Sequence, residues 1–275
     1  MSIQSSPPTQ SNINFKQKNT FVQTLKSDTV VRALSLVFVL TVWEIYGRSV
    51  NPILFTYPTA VARAFVELIS NGELFKYGAQ SIQVLIYGMF AGCVVGIPMG
   101  VLTARYRVFD KATDMYVNAL YATPMVALVP LLVLWFGFGV QAKVIVIFLF
   151  TLFPLLINTY QGVKNVDTKL LEVSRSFCSS ERQLWFDVIL PSALPYILAG
   201  VRLSLGRGLV GMVIADFYTS ISGLGYMVVV YANTFQTAKL FVPIVTLMIL
   251  GIFGMEFTKW LERKLAPWND IRKED

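Results

Sequence analysis

Residues 81–103 read SIQVLIYGMFAGCVVGIPMGVLT, a run with no charged residue and with Gly88, Gly92, Gly96 and Gly100 at a strict four-residue spacing. A membrane-crossing helix needs about 20 mostly apolar residues, and this run supplies them. Its four glycines fall on one helix face, where a second backbone can approach closely. The stretch therefore predicts a lipid-embedded helix packed against other helices. Five further runs read the same way: 31–46, 115–137, 142–161, 193–215 and 240–261. In the fifth, Gly200, Ser204 and Gly208 repeat the small-residue face.

Composition agrees. The chain is 55% apolar and only 14% charged, and its mean hydropathy is +0.60. Soluble domains carry about a quarter charged residues. The sequence contains no histidine, which removes histidine acid–base chemistry, Ser-His-Asp triads and histidine metal sites. Cys93 and Cys178 are the two cysteines, too few and too far apart for a disulfide framework or a metal cluster. No metal site, bound cofactor or nucleic-acid partner is expected, because the net charge of +7 has a different use in a membrane protein. Basic residues mark the cytoplasmic side. Sixteen Lys and Arg flank one set of span ends and five flank the other, with Arg202 and Arg207 left inside the fifth span. That asymmetry puts both termini in the cytoplasm and gives an even number of spans.

The expected organisation is all-α and polytopic, with about six transmembrane helices. Residues 1–30, polar and containing Pro7 and Pro8, read as a disordered cytoplasmic tail. They lack the pattern of a cleaved signal peptide, so the first span is expected to stay in the mature protein. Residues 31–80 form the first span and a periplasmic segment, 81–262 the main transmembrane domain, and 263–275 a cytoplasmic tail. Pro98, Pro124, Pro130, Pro154 and Pro243 predict broken spans, which lipid tolerates where neighbours or a water-filled path satisfy the freed backbone. Arg207 lies deep in the fifth span. It reads either as a path residue or as a structural cation paired with Glu256, Asp216 or backbone carbonyls.

One polar insert interrupts this pattern. Residues 172–191, EVSRSFCSSERQLWFDVILP, lie on the cytoplasmic side between the fourth and fifth spans. Leu184, Trp185, Val188 and Ile189 fall at helical spacing, and Ser179 or Ser180 is placed to cap that helix. The insert therefore predicts a helix, a turn and a second short helix leading to Pro191 at the start of the fifth span. Glu181, Arg182 and Asp187 nearly balance in charge, which favours a partner's groove over a lipid surface. Burial there falls to Leu184, Trp185 and Val188, with Trp185 as the main anchor; the competing role for Trp185 is packing against its own chain.

This insert resembles the EAA loop of permease subunits in bacterial ABC importers, a Glu-Ala-Ala followed by Gly and later by Ile-x-Leu-Pro. Glu172 matches the glutamate, and Val188, Leu190 and Pro191 match the closing residues. Val173 and Ser174 replace the alanines, and Cys178 replaces the glycine. If that position is left-handed, cysteine there costs on the order of 1 kcal/mol. PTAVARAFVELISNGEL, TPMVALVPLLVLWFGFG, NTYQGVKNVDTKLLE, LPSALPYILAGVRLSLG and SGLGYM are similar to the nitrate/sulfonate/taurine/bicarbonate group of these permeases, over roughly residues 50–265.

The resemblance implies a type I ABC importer permease fold in the bacterial inner membrane, with the cytoplasmic loop 164–191 carrying a coupling helix. It implies a homodimer of permeases, two ABC ATPase subunits that use ATP and Mg, and a periplasmic substrate-binding protein. Glu172, Phe177, Cys178, Arg182, Leu184, Trp185, Asp187, Val188, Leu190 and Pro191 would couple to the ATPase. Arg207, Asp216, Ser222, Gly223 and Gly225 would line the path or outer gate. The chain has no Gly-x-x-x-x-Gly-Lys-Ser/Thr loop, so hydrolysis is expected from a partner and this subunit is not an enzyme. The solute would be a small anion or zwitterion of the sulfonate, taurine or nitrate type. A thiamine-precursor pyrimidine is the alternative solute. An ATPase-independent secondary transporter or channel is the alternative class.

Overall fold

The computed structural model describes residues 28–268, all helix and connecting turns among those residues. Residues 1–27 of the tail assigned to 1–30 and residues 269–275 of that assigned to 263–275 lie outside them. The described chain divides into two units, one ending at Thr59 and the other beginning at Ala60.

In the first unit, α1 (Asp28–Ser49) extends beyond the expected 31–46 at both ends. Val31, Leu36, Phe38 and Ile45 all point outward. A helix apolar on every face has lipid as its natural solvent. The turn after it folds back on its last turns. Trp43 Nε1 donates to the Thr56 carbonyl at 2.9 Å, and Glu44 accepts from the Thr59 amide at 3.0 Å and from its hydroxyl at 2.7 Å.

The second unit opens with α2 (Pro58–Ser70), whose Val61, Ala64 and Leu68 are buried at steps of three and four. Then α3 (Glu73–Arg105) runs for 33 residues, about 50 Å at 1.5 Å per residue, starting two turns before the expected span. It leaves Gly72 at φ 79°, a left-handed turn that glycine takes without penalty. After it come α4 (Arg107–Ala122) and α5 (Met125–Phe136). The sequence predicted one span over 115–137. Instead these two helices meet at 95°. Pro124 is the cause: its ring disfavours helical geometry in the preceding residue, and Thr123 is extended at ψ 131°. The other four prolines do not break their spans. Pro98, Pro130, Pro154 and Pro243 all sit inside continuous helices.

Helix α6 (Val140–Lys164) forms the centre of this unit, clasped by α3 and by α8 (Glu181–Thr219). The predicted glycine faces explain why. Gly88, Gly92, Gly96 and Gly100 lie against Ile147, Thr151, Leu155 and Thr159 of α6, rung by rung. A Cβ on Gly100 would come within 2.7 Å of the Leu156 carbonyl. From the other side Gly200 meets Asn158, Gly208 meets Thr151 and Gly211 meets Phe150, while Ser204 Oγ donates to the Thr151 carbonyl at 3.0 Å. Two small-residue faces thus grip one helix, the close packing that membrane helices use in place of a hydrophobic driving force. The remaining helices are α7 (Thr168–Ser176), α9 (Leu224–Asn233) and α10 (Thr237–Leu265). Met248, Ile252 and Phe253 of α10 face outward, and Arg202 of α8 is ion-paired with its Glu262.

Candidate functional sites

The polar insert folds as a rigid lever. Asp167 caps α7 by accepting from the Lys169 amide at 2.9 Å. The helix closes at Phe177, and Cys178 follows at φ 56°, so cysteine occupies a left-handed turn. Ser180, one of the two predicted caps, starts α8 with a capping box: its hydroxyl accepts from the Gln183 amide, and Gln183 Oε1 accepts from the Ser180 amide at 2.9 Å. Such boxes satisfy two orphan donors at once. The short helix does not stop at Pro191. It runs into the spanning part of α8 through a π-helical segment, Leu184–Ile189, in which the Leu190 amide donates to the Trp185 carbonyl. Proline inside an α-helix clashes with the carbonyl four residues back. The wider turn just before Pro191 accommodates it.

The apolar face of this lever packs largely on its own chain, with Leu184 buried and Trp185 and Val188 half-buried, the alternative role that the sequence leaves open for Trp185. Leu184 and Ile189 are buried with Val166 in one cluster, and Trp185, Val188, Val163 and Leu171 pack against it. The Arg105 guanidinium lies 4.7 Å from the Trp185 ring centroid, a cation–π distance. The spacing of these residues was legible, but not which surface they bury against. The outward side chains are Glu172, Phe177, Cys178, Arg182, Phe186 and Asp187. Phe177 is 82% exposed and Phe186 62%. Leu190 and Pro191 are half-buried at the root of the lever.

At the far end of the bundle a buried polar cluster joins four segments. Lys143 Nζ lies 2.6 Å from Asp216 Oδ1 and donates to the Ser222 carbonyl at 2.6 Å and to its hydroxyl at 3.0 Å. Asp216 Oδ2 accepts from Ser81 Oγ at 3.2 Å and from the Gly225 amide at 3.1 Å. Ser81 Oγ in turn accepts from the Leu224 amide at 2.8 Å. Lys143 is 2% exposed and Asp216 fully buried. Gly223 stands at φ 98°, and a Cβ on Gly225 would approach that of Asp216 to 2.5 Å. The carboxylate therefore fits because both positions are glycine. Sequence reading placed Asp216, Ser222, Gly223 and Gly225 together but missed Lys143 and Ser81. In the sequence Lys143 counts among the five Lys and Arg of the non-cytoplasmic flanks; its place in the first turn of an apolar helix is the available signal.

Arg207 forms neither expected ion pair, because Asp216 is held by Lys143 and Glu256 by Lys259 at 2.6 Å. It is exposed on α8, with its guanidinium 5.9 Å from the Tyr121 ring centroid. It lines a cavity of about 530 Å³ between the α4–α5 break, α6 and α8. Among the described residues no group of His, Cys, Asp and Glu is arranged to hold a metal ion.

The described chain thus combines helices long and apolar enough to cross a membrane, a capped polar insert and a half-open cavity with one arginine in its lining. The family of binding-protein-dependent transport system inner membrane components matches residues 96–267. The chain is 36% identical over 238 residues to a Bacillus subtilis protein named as the aliphatic sulfonates transport permease SsuC, covering 84% of this chain and 85% of that one. It is 30% identical to the formylaminopyrimidine transport permease protein ThiX of Halalkalibacterium halodurans, over 86% and 94% of the two chains. It is 29% identical to the taurine transport system permease protein TauC of Escherichia coli, over 86% and 88%. Among solved structures, an inward-facing form of the MetNI methionine ABC transporter superposes at a TM-score of 0.59 and 19% identity, over 68% of this chain and 93% of that one. This protein belongs to the ABC importer permease family: it is a multi-pass, non-catalytic membrane subunit of a binding-protein-dependent transport system.

Proposed function

We propose that two copies of this chain form the translocation path of an ATP-driven importer in the bacterial inner membrane, with both termini in the cytoplasm. Two ABC ATPase subunits dock beneath and use ATP and Mg; a periplasmic binding protein delivers solute from above. The observation that carries this reading is the lever. The capped segment bearing exposed Phe186 is one continuous helix with a candidate membrane span, Glu181–Thr219, and exposed Phe177 stands in the turn just before it. Motion imposed on its end by an ATPase therefore travels into the bundle without crossing a flexible joint. At the opposite end, the Lys143–Asp216 cluster fixes the turn 220–223 that would form the outer gate.

The solute is a small anion or zwitterion of the sulfonate, taurine or nitrate type. The named solutes of the SsuC and TauC relatives support this, as does the lone cation at the cavity. The formylaminopyrimidine relative supports a pyrimidine as the second reading. The test is uptake into proteoliposomes holding this chain with the ATPase and binding protein encoded beside it. ATP-dependent accumulation of an alkanesulfonate is expected. Accumulation without ATP or ATPase would overturn the importer reading. Uptake of formylaminopyrimidine alone would transfer the assignment to the second solute.

A further inference from the structure

We infer that the Arg207 cavity is a solute site within this chain, selective for an organic monoanion: an oxyanion head, such as a sulfonate, on a short apolar chain. The inference deepens the importer reading, on which it rests only for how the solute arrives.

The position of Arg207 demands an explanation. Along α8 it stands about 26 Å from Leu190 and about 18 Å from Thr219 at 1.5 Å per residue, well inside the membrane. An arginine on a lipid-facing surface at that depth is costly, so such residues face a bundle interior or a watery cavity. Arg207 has no carboxylate partner among the described residues: Asp216, Glu256 and Glu262 are engaged by Lys143, Lys259 and Arg202. Its one ring contact is Tyr121, which belongs to the same cavity. The guanidinium therefore retains its donors for a ligand, and a planar fork of N–H groups suits the oxygens of an oxyanion.

The rest of the lining sets the class of ligand. Phe150, Phe153 and Met125 contribute apolar surface to the same lining, and Val210 does so beside Arg207 on its own helix. None of the lining residues is acidic, so an ammonium group, as in a zwitterion such as taurine, would enter without a counter-charge. An inorganic anion such as nitrate would use the arginine and leave the apolar wall unused. A monoanion with an apolar tail uses both, and a volume of about 530 Å³ falls in the usual range for small-molecule sites.

The experiment measures direct binding to the purified full-length chain in nanodiscs, without ATPase or binding protein, with hexane-1-sulfonate as the probe and taurine and nitrate as competitors. Saturable hexanesulfonate binding is expected, with each competitor weaker by at least about tenfold. Arg207→Gln should weaken it at least about tenfold, the scale of a lost charged hydrogen bond, and Arg207→Lys less. Val210→Trp, which fills the cavity and keeps the cation, should abolish binding, so the site is tested even where the arginine variant fails to fold. Absence of saturable binding to the wild-type chain overturns the site. So does equal binding of taurine or nitrate, or unchanged binding in Arg207→Gln or in Val210→Trp. These results do not depend on ATP, so they separate failure of the site from failure of the importer reading.

Discussion

The ammonium of Lys143 and the carboxylate of Asp216, 73 positions apart in sequence, lie 2.6 Å from each other inside the bundle. They join the first turn of α6 to the last turns of α8. Ser81 of α3 and the amide of Gly225 complete the shell around the acid. Removing one member of a buried pair leaves an uncompensated charge, which costs about 3–5 kcal/mol. Lys143→Met should therefore lower the thermal unfolding midpoint of the detergent-purified protein sharply, and Asp216→Asn less, since a neutral amide can still accept. The double variant Lys143→Met/Asp216→Asn should be more stable than Lys143→Met alone. If the two single changes simply add in the double variant, the residues are not coupled.

Cys178 gives a prediction of opposite sign. It holds φ 56° with a side chain that disfavours that geometry. Cys178→Gly should stabilise the protein by about 1 kcal/mol, and Cys178→Val should destabilise it, because a branched Cβ fits the left-handed region worse. Thermal unfolding of the three proteins checks the order.

The lever separates two roles that its sequence alone merges. Trp185 packs inward under Arg105, and Phe186 points out. Trp185→Ala should loosen the lever, seen as faster proteolysis of the insert. Phe186→Ala and Phe177→Ala should leave proteolysis unchanged but weaken ATPase association by about 2 kcal/mol, the scale of an interface hot spot. Equal effects of Trp185→Ala and Phe186→Ala on both readouts would contradict this division.

The glycine ladder predicts assembly defects. Gly100→Val would drive a branched side chain against the Leu156 carbonyl and Thr159, and overpacking of this kind costs about 1–3 kcal/mol. Gly206, whose added Cβ meets nothing within 4 Å, should accept alanine without loss. Yield of monodisperse protein after detergent extraction compares the two.

The lipid-embedded helices, the glycine faces and the Ser180 cap were legible in the sequence because each is a local signal with a fixed period or offset. Pro124 was legible as a proline but not as the one that breaks its span. Pro154 is buried in α6, which α3 and α8 clasp from both sides, and Pro98 is exposed on α3 yet leaves that helix continuous, whereas at Pro124 the extended Thr123 ends the helix. The partners of Asp216 were not legible, because Ser81 and Lys143 come from separate helices and no periodicity links them. The orientation of Trp185 was hidden for a related reason: an amphipathic helix announces that it buries a face, not in which molecule.

The most direct test of the central claim is recovery of an ABC ATPase with the affinity-tagged chain from detergent-solubilised native membranes, for the wild type and for Phe186→Glu. The ATPase should accompany the wild type and be lost from the variant, with both chains present in the membrane at equal levels. A wild-type chain that transports solute while recovering no ATPase, or a Phe186→Glu chain that retains it in full, would contradict the assignment of this lever as the coupling element.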